Sequence, residues 1–429
     1  MPDDRASLLA QYQRVRAQTE ALAAPLSAED QTVQSMPDTS PAKWHRAHTT
    51  WFFETFLLGE FKPDYEPVHP DYAFLFNSYY EQAGPRHSRS HRGLITRPGI
   101  AEIAAYRAAV DERMADLLET VPDSQWTAVE ERVTLGLHHE MQHQELLVMD
   151  VKHVLSCNPT SPAYAPPTAA ASGTIAPQSW VSFDGGLVDV GHRGNDFAFD
   201  NEGPHHQMFL RPYRLSSRPV TCGAWLEFMA DGGYSRAELW LSEGWATVQA
   251  EEWEAPLYWQ ETEDGSGWEH FTLNGRQPVD PRAPISHVSY FEADAFARWT
   301  GFRLPSEAEW EVAVNGSAIE GQFLEDGAIE PLPAFSGTAR QASDLDQAWG
   351  TVWEWTQSPY SAYPGFRTPA GALGEYNGKF MVNQMVLRGG CAWTPKQQLR
   401  SSYRNFFPAG SRWHCSGLRL AQDADGPHV

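Results

Sequence analysis

Between residues 158 and 178 the chain reads NPTSPAYAPPTAAASGTIAPQ, a run of proline, alanine, serine and threonine with no apolar period. Such a stretch offers no continuous face to a hydrophobic core, so the segments on either side must fold on cores of their own. Length agrees, because 429 residues exceed the usual reach of a single core. The expected division is a first domain over 1–157, a linker over 158–178 and a second domain over 179–429.

The two sides differ in pattern. Before the linker, apolar residues recur at helical spacing, with candidate helices at about 5–24, 41–59, 100–120 and 125–156. Four amphipathic helices of this length predict a bundle, the second helix starting with Ser40 as cap and Pro41 at its first position. After the linker the chain is rich in glycine, holds most of the 17 tryptophans and shows short alternations such as SWVSFDGGLVDVG. That texture predicts irregular β structure with inserted helices, and an α+β class overall.

Charge and cysteine usage narrow the partners. A formal net charge of −23 repels polyanions, so neither nucleic acid nor an anionic membrane is an expected partner. The four cysteines form no C-x-x-C pair, which fits reduced thiols rather than a disulfide framework. No basic start followed by an apolar run opens the chain, and no stretch reaches membrane-spanning length, so a cytoplasmic, soluble protein is expected.

The second and fourth helices carry the chemistry. In PAKWHRAHTTWFFETFLLGE, Trp44, His48, Trp51, Phe52, Thr55 and Gly59 fall at steps of three and four, which turns His48 toward the core and leaves His45 off the stripe. In HHEMQHQELL, His139 and His143 lie one turn apart on a face shared with Gly136, Leu147 and Asp150, and His138 does not. A single core-facing histidine is ordinarily a hydrogen-bonded packing residue. Three converging in one bundle interior point to a metal, because desolvated neutral imidazoles are well satisfied by coordination. Two motifs overlap here. His139-Glu140-x-x-His143 is the pattern of a zinc protease with Glu140 as general base; His139-x-x-x-His143-x-Glu145 is not. Three imidazoles with open positions suit zinc hydrolysis or an oxygen-binding non-heme iron, and ligand type alone does not choose.

The second half of the chain adds a resemblance. EGPHHQMFLRPYRLSSRPVTCGAWLEF, PISHVSYFEADAFARWTGFRLPSEAEWEVA, GTVWEWTQSPYSAYPGF and VLRGGCAWTP with RSSYRNFFPAGSRWHCSGLRLA together resemble the formylglycine-generating-enzyme fold. Cys391 and Cys415 do not sit where that fold's copper-binding cysteines belong, so its oxidase activity is not expected. A DinB-like bundle carrying Trp44, His48, His139, His143 and Glu145, joined to that fold, resembles the sulfoxide synthases of ergothioneine biosynthesis. The resemblance implies iron(II) held by His48, His139 and His143, with molecular oxygen as co-substrate. It also implies hercynine and a thiol as the small-molecule substrates, joined at the imidazole C2 as a sulfoxide. The related ovothiol enzymes usually continue into a methyltransferase domain, so an ending at Val429 fits the ergothioneine branch.

Further site residues follow from the same resemblance. Gln142 matches a position that holds substrate near the metal, Asn405 one that contacts the betaine carboxylate, and Phe406 one where an aromatic face holds the trimethylammonium. Arg86 and Arg89 match a loop that receives the carboxylates of the thiol. Two places compete for the catalytic phenol. Tyr80, with Tyr79 beside it, is expected to act from the bundle side; Tyr360 is the alternative on the second domain, with Tyr363 lining the substrate. The donor is expected to be free cysteine or γ-glutamylcysteine. A selenium donor, as in selenoneine synthesis, a zinc hydrolase and a non-catalytic metal-stabilised binding protein are the other readings that the residues allow.

Overall fold

The computed structural model describes residues 2–166, 173–334 and 345–424; positions 167–172 of the expected linker lie outside the described residues. The chain divides into two compact units. One comprises Met1–Ala165 with Pro369–Tyr376, and the other Pro166–Thr368 with Asn377–Val429.

The first unit is built on four long helices, α1 (Pro2–Ala23), α2 (Ala42–Phe53), α3 (Ile100–Thr120) and α4 (Asp123–Ser156). Their shared core includes Tyr12 from α1, Trp51 and Phe53 from α2, Val110 from α3, and Val133 and Leu137 from α4. Gly136 sets the spacing of α2 against α4, since a Cβ there would lie 2.6 Å from the Phe53 ring. That close approach, one turn before His139, brings the histidines of the two helices within reach of each other.

Two details of α2 differ from expectation. Pro41 is the cap rather than the first helical residue (φ −58°, ψ 145°), and no side chain caps the helix. The Ser40 hydroxyl instead accepts a hydrogen bond from Arg92 Nη1 at 2.8 Å. The free N–H of Lys43 is satisfied by Gln31 O at 3.1 Å, so the backbone does what a capping side chain would. At the other end α2 passes into a π-helical turn, Glu54–Leu58. The wider turn shifts the helical phase. As a result Thr55 is only half-buried and Gly59 is exposed, although both fall on the apolar stripe of a uniform helix.

The segment Pro369–Tyr376 groups with the helical unit, where Ala372 and Leu373 pack against its core. A division of the chain at a single linker does not anticipate this, because a short excursion carries no compositional mark.

The second unit is irregular β with short helices. Its largest sheet has the order β3-β2-β1-β4, where β1 is Trp353–Pro359, β2 Gln384–Arg388, β3 Asn405–Pro408 and β4 Ser416–Gly417. β1, β2 and β3 pair antiparallel, and β4 joins β1 in parallel. Two helices, α5 (Tyr290–Trp299) and α6 (Glu307–Val314), each start in a capping box, Ser289 with Glu292 and Ser306 with Glu309. Among the described residues no helix is long and apolar enough to cross a membrane.

Candidate metal centre

His48, His139 and His143 form a buried cluster whose potential ligand atoms all lie within 4.8 Å of one another. His48 comes from the middle of α2, and the other two lie one turn apart on α4. His48 Nε2 is 3.2 Å from His139 Nε2, and the His143 ring centroid is 4.6 Å from each of the other two. Burial depresses the basicity of all three. It lowers His139 to about 4, and burial together with the neighbouring imidazoles holds His48 and His143 well below the usual range. The cluster is therefore neutral near pH 7, the state in which imidazole donates a lone pair to a metal.

The atoms fit a metal on a further count. His48 Nδ1 lies 2.6 Å from the carbonyl oxygen of Phe76. A carbonyl only accepts, so the His48 proton sits on Nδ1 and its Nε2 presents a bare lone pair toward His139. With metal–nitrogen bonds of about 2.1 Å, two nitrogens in adjacent positions around one ion lie roughly 3.0–3.4 Å apart, which includes the separation found here.

The surroundings are aromatic. Trp44 stacks on the His48 ring at 4.6 Å and 9°, and Trp51 lies over the same ring at 5.5 Å and 22°. The Arg92 guanidinium covers Trp44 at 3.3 Å, and burial lowers its pKa to about 9. Arg92 is not among the residues that the sequence points to. The available signal was its place as a third arginine at the same three-residue spacing, in RHSRSHR.

His45 corrects the phase argument. It is buried, its Nδ1 lies 2.9 Å from His143 Nδ1, and its Nε2 lies 3.0 Å from Asp150 Oδ2. Every residue of α2 is buried, so no solvent face exists for a histidine off the main stripe to occupy.

Glu140 corrects the zinc-protease reading. Its carboxylate is fully buried and accepts hydrogen bonds from Arg16 Nη1 at 2.9 Å, Arg107 Nη2 at 3.0 Å and Thr19 Oγ1 at 2.7 Å. Burial alone would raise this carboxyl, but the two guanidiniums hold it below its usual value. A carboxylate bound by two cations from α1 and α3 is a weak base turned to helices other than the one that supplies His48, so it does not serve a metal-bound reactant.

The remaining bundle residues expected at the site lie on α4 and on the loop after α2. Gln142 is half-buried and lies between His139 and His143 in the sequence of α4. Tyr80 is buried, with its ring centroid 5.8 Å from Trp51 and 5.3 Å from Phe56. Phe52, 6.4 Å from Tyr80, lies 4.7 Å from the His139 ring, so the phenol belongs to the aromatic shell of the histidine cluster. Burial pushes the Tyr80 hydroxyl well above its ordinary pKa, keeping it protonated. The Tyr79 hydroxyl accepts from Arg89 Nη1 at 3.0 Å, and Arg89 also donates to Asp38 O. Arg86 is exposed and pairs with Glu81 at 2.8 Å.

In the second unit, Tyr360 stacks face to face on Phe406, with centroids 3.9 Å apart at 9°, and its hydroxyl accepts from Asn201 Nδ2 at 2.9 Å. Half-buried Asn405 starts β3 and accepts from the Phe406 N–H at 2.9 Å. The Tyr363 hydroxyl lies in a buried ion-pair network, accepting from Arg388 at 3.1 Å and donating to Glu307 at 3.4 Å. Burial raises the pKa of both tyrosines.

Comparison with known proteins places these sites in context. Residues 11–147 match the DinB superfamily, and residues 167–336 and 329–424 match the sulfatase-modifying factor enzyme 1-like domain. The hercynine oxygenase of Mycolicibacterium smegmatis is 30% identical over 417 residues, covering 91% of this chain and 92% of that protein. That of Mycobacterium tuberculosis is 30% identical over 413 residues, covering 90% and 92%. The formylglycine-generating enzyme of Streptomyces coelicolor is 28% identical over 318 residues, 62% of this chain and 96% of its own.

Proposed function

The chain belongs to the hercynine oxygenase family, and from that premise we propose that it is an oxygen-dependent iron(II) sulfoxide synthase acting on hercynine and a thiol. The observation that carries the reading is the buried, neutral trio of His48, His139 and His143, with two Nε2 atoms 3.2 Å apart. These three residues would hold the iron, whose role is to supply the redox chemistry that makes dioxygen reactive. The overall change is balanced: an imidazole C–H and a thiol S–H are replaced by one C–S bond. One oxygen atom ends in the sulfoxide and the other in water, so dioxygen takes up the four electrons released.

The protein's residues divide the remaining work. Aromatic walls from Trp44, Trp51 and Phe52 exclude water from the ligands, which limits the competing loss of oxidising equivalents. Tyr80 offers a protonated phenol, and Gln142 offers an amide able to hydrogen-bond a substrate imidazole. Arg86 and Arg89 would receive thiol carboxylates. The family resemblance assigns Asn405 and Phe406 to the betaine, its carboxylate by a hydrogen bond and its trimethylammonium by cation–π attraction of roughly 0.5–2 kcal/mol.

A direct test supplies iron(II), hercynine and cysteine to the purified protein and follows oxygen consumption and product mass. Oxygen uptake that requires both substrates, with a product of the mass of the joined sulfoxide, supports the reading. Oxygen uptake that ignores hercynine overturns it.

A further inference from the structure

We propose that Asp150 and His45 form a carboxylate–imidazole relay that fixes the tautomer of His143 and so aims its Nε2 lone pair at the metal. The inference deepens the functional reading above and rests on its assignment of His143 as a ligand. The relay is a chain of two contacts. Asp150 Oδ2 lies 3.0 Å from His45 Nε2, and His45 Nδ1 lies 2.9 Å from His143 Nδ1. All three side chains are buried, so water does not compete for these bonds. Asp150 is itself held in place, because the same Oδ2 accepts the backbone N–H of Ser40 at 2.7 Å, just before α2 begins.

Proton accounting closes from both ends. Starting from the carboxylate, Asp150 only accepts, so His45 must carry its proton on Nε2. The His45 Nδ1 is then a bare lone pair, and the short contact to His143 requires the His143 proton on Nδ1. That leaves His143 Nε2 bare. Starting from the metal, a neutral ligating imidazole carries its proton on the nitrogen that is not bound, and needs an acceptor there. His143 Nδ1 finds that acceptor in His45, which can play the part only if its own proton sits on Nε2, facing Asp150. Both routes give one arrangement of protons.

The interposed imidazole has a consequence. A carboxylate bonded directly to a ligand pulls its proton strongly and makes the ligand more anionic. Here the negative charge is one ring removed, so His143 is oriented without being pushed as far toward imidazolate. His48 has a comparably mild acceptor, the carbonyl of Phe76. Two of the three ligands are thus steered by neutral acceptors, which keeps the charge at the metal set by the metal itself. His45 and Asp150 are positioning residues in this scheme and touch no substrate.

The test reads tautomers in the metal-free protein, where no turnover is involved. With ¹⁵N-labelled histidine, the imidazole nitrogen shifts of the wild type are expected to show His143 protonated at Nδ1 and His45 protonated at Nε2. His45→Leu removes the acceptor. It should mix the His143 tautomers and lower iron(II) affinity, measured anaerobically against a competing chelator, by about 10–100-fold. His45→Gln keeps an oxygen that can accept from Nδ1 and should restore affinity to within a few-fold of wild type, an outcome that a purely space-filling role does not produce. A wild-type His143 protonated at Nε2, or a folded His45→Leu protein that binds iron(II) as tightly as wild type, overturns the proposal. If His45→Leu does not fold, the wild-type spectrum and the His45→Gln affinity still decide. Correct tautomers in a protein that forms no sulfoxide would sink the functional reading and leave the relay standing; sulfoxide formation with the opposite tautomers would do the reverse.

Discussion

Glu140 follows His139 directly in sequence, yet the two side chains serve different helices: His139 meets His48 of α2, whereas Glu140 binds Arg16 of α1 and Arg107 of α3. Arg16 also reaches Thr50 of α2 at 2.9 Å, and Arg107 donates to Arg46 O at 2.9 Å. One carboxylate with two guanidiniums therefore ties all four helices together on one side, while the imidazoles gather on another. The residue that a zinc protease would use as its base is here a structural anion.

Removing that anion leaves two buried cations without their partner. Breaking a buried pair typically costs about 3–5 kcal/mol, so Glu140→Ala should lower the denaturation midpoint strongly. Glu140→Gln, which keeps a hydrogen-bond acceptor, should cost less. Iron content of the folded fraction should stay near wild type in both variants. Denaturant titration together with metal analysis checks this, and a stable Glu140→Gln protein that has lost sulfoxide formation entirely would return the carboxylate to the chemistry.

The low basicity of the histidines predicts how stability varies with pH. His139 is pushed down to about 4 from an ordinary value of 6.5. The unfolded chain thus takes up a proton that the folded, metal-free bundle refuses. Stability is fully present above 6.5 and is lost as pH falls through that value toward about 4. Denaturation of the metal-free protein across this window should show the slope, and His139→Gln should make it shallower while His48 and His143 keep part of it. Because the ligands are already neutral, iron(II) affinity should change little between about pH 8 and 6.5, whereas an exposed histidine site would begin to weaken there.

How much of this was legible beforehand depended on whether a contact is local. His139 and His143 are one turn apart, and His48 falls on a clear stripe, so helical spacing puts all three on core-facing stripes, while the family resemblance is what joins them as one set; the structure brings the three side chains together. His45 was excluded by that same reasoning, which assumes a polar face; α2 has none. Thr55 and Gly59 were misplaced because a π turn shifts the phase without an obvious sequence mark. The partners of Glu140 stand 124 and 33 residues away, at Arg16 and Arg107, and nothing in HHEMQH hints at them. Periodicity reports which face a residue occupies, not which distant side chain meets it.

The thiol donor can be tested through the loop arginines. Arg86 pairs with Glu81, and Arg89 holds the Tyr79 hydroxyl, so each has an internal partner from which a substrate carboxylate would have to draw it. Free cysteine presents one carboxylate and γ-glutamylcysteine presents two. Of the two, cysteine is the expected donor. With both thiols competing for limiting hercynine, the sulfoxide carrying cysteine alone should dominate the mass spectrum. Arg89→Leu should raise KM for the thiol more than for hercynine. A dominant product bearing the γ-glutamyl group would contradict the assignment.

Two buried tyrosines, Tyr80 and Tyr360, compete for the role of proton or electron donor. Tyr80 packs among Trp51, Phe52 and Phe56, and Phe52 in turn touches the His139 ring. Tyr80→Phe keeps that packing and removes one hydroxyl, so melting temperature and iron content should stay near wild type. If the phenol supplies a proton or an electron during oxygen reduction, sulfoxide formation should fall by about 10²–10⁴-fold, the usual contribution of a positioned proton donor, and the thiol should be diverted to simple oxidation. Tyr360 makes the contrast, because its hydroxyl is bonded to Asn201 and its ring lies flat on Phe406. Tyr360→Phe should therefore cost about 1 kcal/mol of stability through the lost hydrogen bond, with sulfoxide formation within a few-fold of wild type. Product analysis of the two variants side by side separates the cases, and a Tyr360→Phe protein that oxidises thiol without joining it, beside a normal Tyr80→Phe protein, would move the phenol to the second unit.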